Sequence, residues 1–501
     1  MIIAACEFLF ASCGKVPLPK EPLPTVLIET SQAPPTVSEV ITTPSEPSAI
    51  FNDYFVSLDV HPKDRVVTGI ETIRFINTTD VELSEIYINI LFNAFSKGSE
   101  SVSVFSEYKT RVFGDVISYG YLQINQVNVD SEPASYEMND TNLRIELLDK
   151  LMPNDFAEIR LEFEAEIPLI NHRTGSNNNS MWFGNFLPTL AVFDADGWHT
   201  DSYTAAGDPF FTETANFVVN VTAPPEYTAV GSGSRKVTEQ PEKTITEFVA
   251  QRTRDFAFAL GSEYKVVSLV NDNVEINLYT FSDITNADKI VNLAARSLEY
   301  YSSRIGSYPY PQLTIVEVGL FIKGGMEYPQ LVFLDSDYLQ NSIGLESLAH
   351  EIGHQWFYNL IGNNQIDSAW MDEGLTTFIQ EGLFLTEEEL RLKMADNYDY
   401  LTAALPTIIP NDLDSGLSEF TKWSDYYCVH YMRGELLFYN LYLKMGADVF
   451  DEFIKTYYSN YSFHIASPKN LIDTAEEVSG LNLSDFFNKW IYDSTLPELY
   501  S

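Results

Sequence analysis

Cysteine is scarce in this chain: three in 501 residues, Cys6, Cys13 and Cys428. No disulfide framework can be built from them, so the fold must rest on a packed core. Cationic residues are few as well. Thirty Lys and Arg stand against 71 Asp and Glu, a formal net charge of −41, which argues against nucleic acid or an anionic membrane surface as partner. An acidic exterior keeps a protein soluble and can steer amine-bearing ligands towards it, but it identifies no fold. Beyond the first residues no apolar run is long enough to cross a bilayer, and no internal repeat is visible. Histidine is rare too, at seven residues, so any ordered histidine pattern carries information.

What is present suffices for a folded, multidomain protein. Hydrophobic residues make up 45% and aromatics 14% of a chain too long for one ordinary core, so two or three domains are expected. Residues 1–13 form a short apolar run ending in Phe10-Ala11-Ser12 before Cys13-Gly14, which resembles the end of a bacterial lipoprotein signal with its lipidated cysteine. The next segment, 14–50, is a linker; Lys15 to Ser48 holds 8 of the 24 prolines and reads as an extended tether. Together these predict an extracytoplasmic protein, lipid-anchored at the membrane of a bacterium, with plain secretion as the alternative.

Residues 51–262 read as a β domain. Tyr54 to Val60, Gly69 to Ile76, Ile159 to Glu164 and Phe217 to Val221 alternate at period two, and clusters such as Asn77-Thr78-Thr79-Asp80 and Gly231-Ser232-Gly233 separate the runs. Over 263–501 the character changes. Strands are predicted at Val274 to Phe281, Leu313 to Val318 and Leu331 to Leu334, after which helices carry the chain. One helix is expected from Leu345 to Leu360 with Gly362 as its stop, and a second from Gly374 to Leu385.

The first of these helices holds the most informative residues. His350, Glu351 and His354 stand in the order His-Glu-x-x-His, and Glu373 follows after eighteen intervening residues. Positions four apart share a helix face, so both imidazoles can reach one ion while Glu351 points beside it. That is the pattern of a hydrolytic zinc site, in which His350, His354 and Glu373 ligate one Zn²⁺ and a fourth position is left for water. Composition alone would produce such a motif roughly 0.01 times in this chain. Proteases that draw a third histidine from the same segment need Gly and His three and six residues after the second; Phe357 and Leu360 stand there, which excludes that class. Zinc lowers the pKa of its water to roughly 7, and Glu351 would take the proton and hand it to the leaving nitrogen as general base and acid.

Four motifs in order extend the pattern: Gly324-Gly325-Met326-Glu327-Tyr328, His350 to Phe357, Trp370-Met371-Asp372-Glu373-Gly374, and Tyr431-Met432-Arg433-Gly434. From about Asp53 to Leu499 the chain resembles the aminopeptidase N family of zinc metallopeptidases. The resemblance implies a multidomain fold of α and β: an N-terminal, all-β, saddle-like domain, then a thermolysin-like α+β zinc peptidase domain, mostly helical toward the C-terminus. It also implies that Tyr431 donates to the oxyanion, and that Gly324, Gly325, Met326 and Glu327 bind substrate. Glu327 would receive the free α-amine by charge-assisted hydrogen bonds, while the two glycines let the strand approach the peptide closely. Tyr328 stands where most members have Asn. The second amine-binding residue, normally from the first domain, has only Asn185 as a candidate near Trp182-Phe183-Gly184. Asp367 or Asp372 could orient a zinc histidine.

The resulting expectation is a zinc aminopeptidase acting on peptides with a free N-terminus. Many members of the family continue into further domains that roof the site, so a more open cleft is expected here. The rival readings are a zinc endopeptidase using that open cleft and a non-catalytic binding protein on the same fold.

Overall fold

The computed structural model describes residues 51–500 apart from 102, 282–286, 321–323 and 340–342. The lipoprotein-like start with Cys13 and the proline-rich segment lie outside the described residues.

The N-terminal half is β-rich because its apolar residues alternate. In Asn52–His61 the side chains of Tyr54, Val56, Leu58 and Val60 are buried and those between face outward, the signature of a sheet with one covered face. This strand sits near the middle of an eight-stranded sheet, parallel to Ala215–Ala223 on one side and antiparallel to Val66–Ile76 on the other. Phe156–Glu166 and Tyr121–Val129 continue the sheet outward. Two four-stranded sheets pack beneath it. One of them, containing Thr174–Ser176, Ser180–Phe183 and Phe258–Ser262, faces the second half of the chain.

Between Ser262 and Lys265 the chain passes into a second sheet of five strands, with Gln312–Val318 parallel to both Val274–Thr280 and Leu331–Asp335. Gln312–Val318 is buried at every position, as a strand covered on both faces must be. The two-residue edge strand Gly325–Met326 runs antiparallel to Leu331–Asp335. Helices complete this half, among them Ala287–Arg304, Ile343–Gly353, Glu373–Gln380, Glu387–Ala404 and Gly434–Met445. Thr386 and Glu389 form a reciprocal cap at the start of Glu387–Ala404. Among the described residues no helix is long and apolar enough to cross a membrane.

Two local expectations are corrected. The motif helix ends at Gly353 rather than Leu360. Beyond it the chain folds back through Tyr358, whose φ is 108°, with the Asn359 amide donating to His354 O (3.1 Å) and the Ile361 amide to Trp356 O (2.9 Å). Trp356, Phe357 and Leu360 are buried in this turn, so their apolar spacing has a cause other than a helix face. Gly362 is likewise no helix stop. It pairs with Ile465 in a short parallel ladder, and a Cβ there would lie 2.1 Å from the Arg254 guanidinium carbon. Arg254, from the β-rich half, donates to Thr212 O, Tyr358 O and His464 O, clasping the two halves together.

Candidate active site

Helix and turn set the histidines. His350 lies in the last turn of Ile343–Gly353, and His354 just beyond it keeps helical spacing, its amide 3.2 Å from His350 O. Each imidazole is held through Nδ1, which is 3.1 Å from Gln380 Oε1 in His350 and 2.9 Å from Phe357 O in His354. Both partners are acceptors, so each Nδ1 donates and each Nε2 is left facing inward. The two Nε2 atoms are 3.0 Å apart, and Glu373 Oε2 is 3.1 and 3.2 Å from them.

Three potential ligand atoms thus crowd one point, and although burial pulls the His354 pKa down, Glu373 and Glu327 hold it well above its ordinary value. A cation can take the place of that proton: tetrahedral zinc with ligand bonds of about 2.0–2.1 Å sets its donors about 3.3 Å apart. His350, His354 and Glu373 are the metal-capable group among the described residues, with donor atoms within 4.8 Å of one another. Burial alone would raise the Glu373 pKa, but the two imidazoles outweigh it and hold the carboxylate well below its ordinary range.

Tyr431 enters from a π-helical turn, Tyr427–Arg433, a distortion that often marks functional positions. Its hydroxyl donates to Glu373 Oε1 at 2.5 Å, and its ring stacks 5.7 Å from that of His350. Glu351 is 7% exposed. Burial, reinforced by Glu373 and Asp208 against the opposing pull of His354, pushes its pKa up to about 8. A Cβ on Gly325 would meet Glu351 Cγ at 2.4 Å, which explains glycine at that point of the edge strand. Gly324 offers its carbonyl to the Asp335 amide (3.0 Å).

Glu327 is 4% exposed, far from an ordinary edge-strand glutamate, and its Oε1 has no hydrogen-bond partner. Burial first, then Asp208, drives its pKa well up. Met326 is buried beside it.

The β-rich half supplies an acid that the sequence did not signal. Asp208, in the buried run Tyr203 to Thr212, faces Glu327 and Glu373, and each raises or is raised by its neighbours' charge. Burial pushes Asp208 up to about 6 against the pull of Arg173, whose Nη2 is 2.6 Å from Asp208 Oδ1. Asn185 is occupied otherwise: it donates to Asp255 Oδ2 (2.9 Å) and accepts from the Tyr328 hydroxyl (2.7 Å). Neither Asp367 nor Asp372 orients a zinc histidine. Asp372 accepts from Asn363 and Gln365, Asp367 from Asn364, and the orienting groups are Gln380 and the Phe357 carbonyl. His430 is buried against the rings of Phe420 and Tyr426.

Beside Glu327 the two halves pack closely. Tyr328 dives under the β-rich half, where a Cβ on Gly184 would come within 2.0 Å of its hydroxyl. Gly207 is pressed as closely, 2.5 Å from the Tyr426 hydroxyl by the same measure.

Comparison with known proteins agrees with this geometry. Residues 290–490 match the peptidase family M1 domain. Aminopeptidase 2 of Candida albicans is 21% identical over 451 residues, covering 83% of this chain and 47% of that protein. Aminopeptidase N of Lactococcus lactis subsp. lactis is 21% identical over 404 residues, with 75% and 47% covered. The chain spans less than half the length of these relatives. The crystal structure of the M1 zinc metallopeptidase from Deinococcus radiodurans superposes with a TM-score of 0.67 at 18% identity, over 90% of this chain and 95% of that one. The fold is therefore that of the M1 zinc metallopeptidases, a β-rich domain followed by a largely helical one.

Proposed function

We propose that this chain, which resembles the aminopeptidase N family and carries a peptidase family M1 domain over residues 290–490, is a zinc-dependent aminopeptidase that releases N-terminal residues from peptides. The observation that carries the reading is the buried, unpartnered oxygen of Glu327 beside the His350, His354 and Glu373 donors. A buried carboxylate lacking a partner is costly, and the α-ammonium of a peptide supplies both the charge and the hydrogen bonds it lacks.

His350, His354 and Glu373 would hold the zinc, which when bound polarises the scissile carbonyl and makes water acidic enough to attack at neutral pH. Glu351 accepts the proton of the attacking water on its carboxylate and passes it to the departing nitrogen. The Tyr431 hydroxyl, which stands against Glu373 Oε1, would donate to the oxyanion. Glu327 and Asp208 together receive the ammonium. The backbone of Gly324 to Met326 lies along the peptide.

The unpartnered carboxylate oxygen of Glu327 supports an exopeptidase over the endopeptidase alternative, because only a free N-terminus brings it an ammonium. A non-catalytic protein would have no need of Glu351 and Tyr431 in these positions. Matched peptides with free and N-acetylated ends test the reading. Wild type is expected to cleave only the free peptide, and Glu327→Gln to lose most of that activity; equal cleavage of both peptides would overturn it.

The reading extends to location. The run before Cys13 and the proline-rich segment after it support an enzyme tethered outside the cytoplasmic membrane. Metabolic labelling with a fatty-acid analogue should mark the full chain and not Cys13→Ala; an unlabelled wild type in a bacterial host would reject the anchor.

A further inference from the structure

We infer that Arg173 is a positioning residue that fixes the amine-docking end of the site from the β-rich half; the inference rests on the aminopeptidase reading above. Its guanidinium is buried and spends its donors on both sides of the docking pocket. Nη2 reaches Asp208 Oδ1 and Gly207 O, each at 2.6 Å, and Nη1 reaches the Tyr203 hydroxyl at 2.9 Å. Nε points at Met326 Sδ, 3.4 Å away, and the Phe210 ring lies 5.3 Å beneath the guanidinium carbon.

Met326 ends the edge strand Gly325–Met326 and immediately precedes Glu327. Arg173 therefore touches the loop that carries one docking carboxylate and the strand that leads into the other. Two acids must meet one ammonium for the pocket to discriminate, and a planar cation with a fixed fork of donors sets their separation. A lysine lacks the second nitrogen with which Arg173 reaches Tyr203 while the first holds Gly207 and Asp208.

The test measures KM and kcat separately, with zinc content, for Arg173→Lys, Asp208→Asn and the charge-balanced pair Arg173→Met with Asp208→Asn. Arg173→Lys should raise KM for peptides with a free N-terminus about 10- to 100-fold, the equivalent of one charged hydrogen bond, with kcat and zinc content near wild type. If Arg173 acts through Asp208, the double variant matches Asp208→Asn alone instead of multiplying the two effects. The double variant removes Arg173 and the acid it pairs with together, so it reads out even if Arg173→Met alone does not fold. An unchanged KM in folded, zinc-loaded Arg173→Lys, or independent effects in the double variant, would overturn the inference. A wild type that ignores N-acetylation would instead sink the aminopeptidase reading beneath it.

Discussion

At the scale of single residues, the chemistry divides between groups that share one hydrogen-bonded cluster. Tyr431 donates to Glu373 at 2.5 Å, so its hydroxyl already stands at the metal group. Tyr431→Phe should cut kcat by about 10²- to 10³-fold, the usual loss of an oxyanion donor, with KM within a small factor; steady-state kinetics on an aminoacyl fluorogenic substrate would measure it, and wild-type kcat would remove Tyr431 from the mechanism. Glu351→Gln is expected to bind zinc as wild type does and lose about 10²- to 10⁴-fold in turnover. The metal donors were legible in the sequence because two of them fall within one helical turn and the third in a short motif. Asp208 and Arg173 were not legible. They lie 35 positions apart, far from Glu327 in the chain, and only the docking of the β-rich half brings all three together. No local pattern records a contact of that kind.

At the scale of elements, two glycines govern how the helices bearing the site meet. A Cβ on Gly434 would lie 2.8 Å from Gly374 Cα, and one on Gly374 would lie 2.7 Å from Gly434 Cα. The helix that begins with Glu373 and the turn that delivers Tyr431 thus touch through bare backbone. Gly434→Ala must push them apart, since neither contact is a flexible side chain. The expected result is a lower thermal midpoint together with reduced kcat, from a residue that touches no donor atom; an unperturbed enzyme would show that the crossing is not constrained. Alternation made the strands around Tyr54, Ile73 and Val219 readable, because each has one wet face. The end of the motif helix was not readable. Trp356, Phe357 and Leu360 have the spacing of a buried helix face, yet a buried turn asks for the same apolar residues, and only the positive φ at Tyr358 separates the two.

At the scale of the whole molecule, stability should depend on pH through buried acids. Both oxygens of Glu71, in the core of the large sheet, have no hydrogen-bond partner, and burial drives its pKa well above 4.5. Burial likewise raises Asp255 to about 7, partly offset by the Phe256 amide. A carboxyl whose folded pKa exceeds its unfolded value contributes fully below the unfolded value, and that contribution is lost as pH rises through the interval between them. Glu71→Gln should therefore lose less stability than wild type between pH 5 and pH 8 in denaturant titrations; parallel losses would mean that Glu71 is not buried as an acid. The division into a β-rich half and a helical half was evident from period and composition, whereas the close approaches of Tyr328 to Gly184 and of Tyr426 to Gly207 join residues far apart in the chain. The proposed chemistry depends on three donors gripping one ion. Elemental analysis of purified wild type and of Glu373→Ala is the most direct measurement: the account requires one zinc per wild-type chain and little in the variant. A wild type without stoichiometric metal, or a variant that keeps it, would contradict the account.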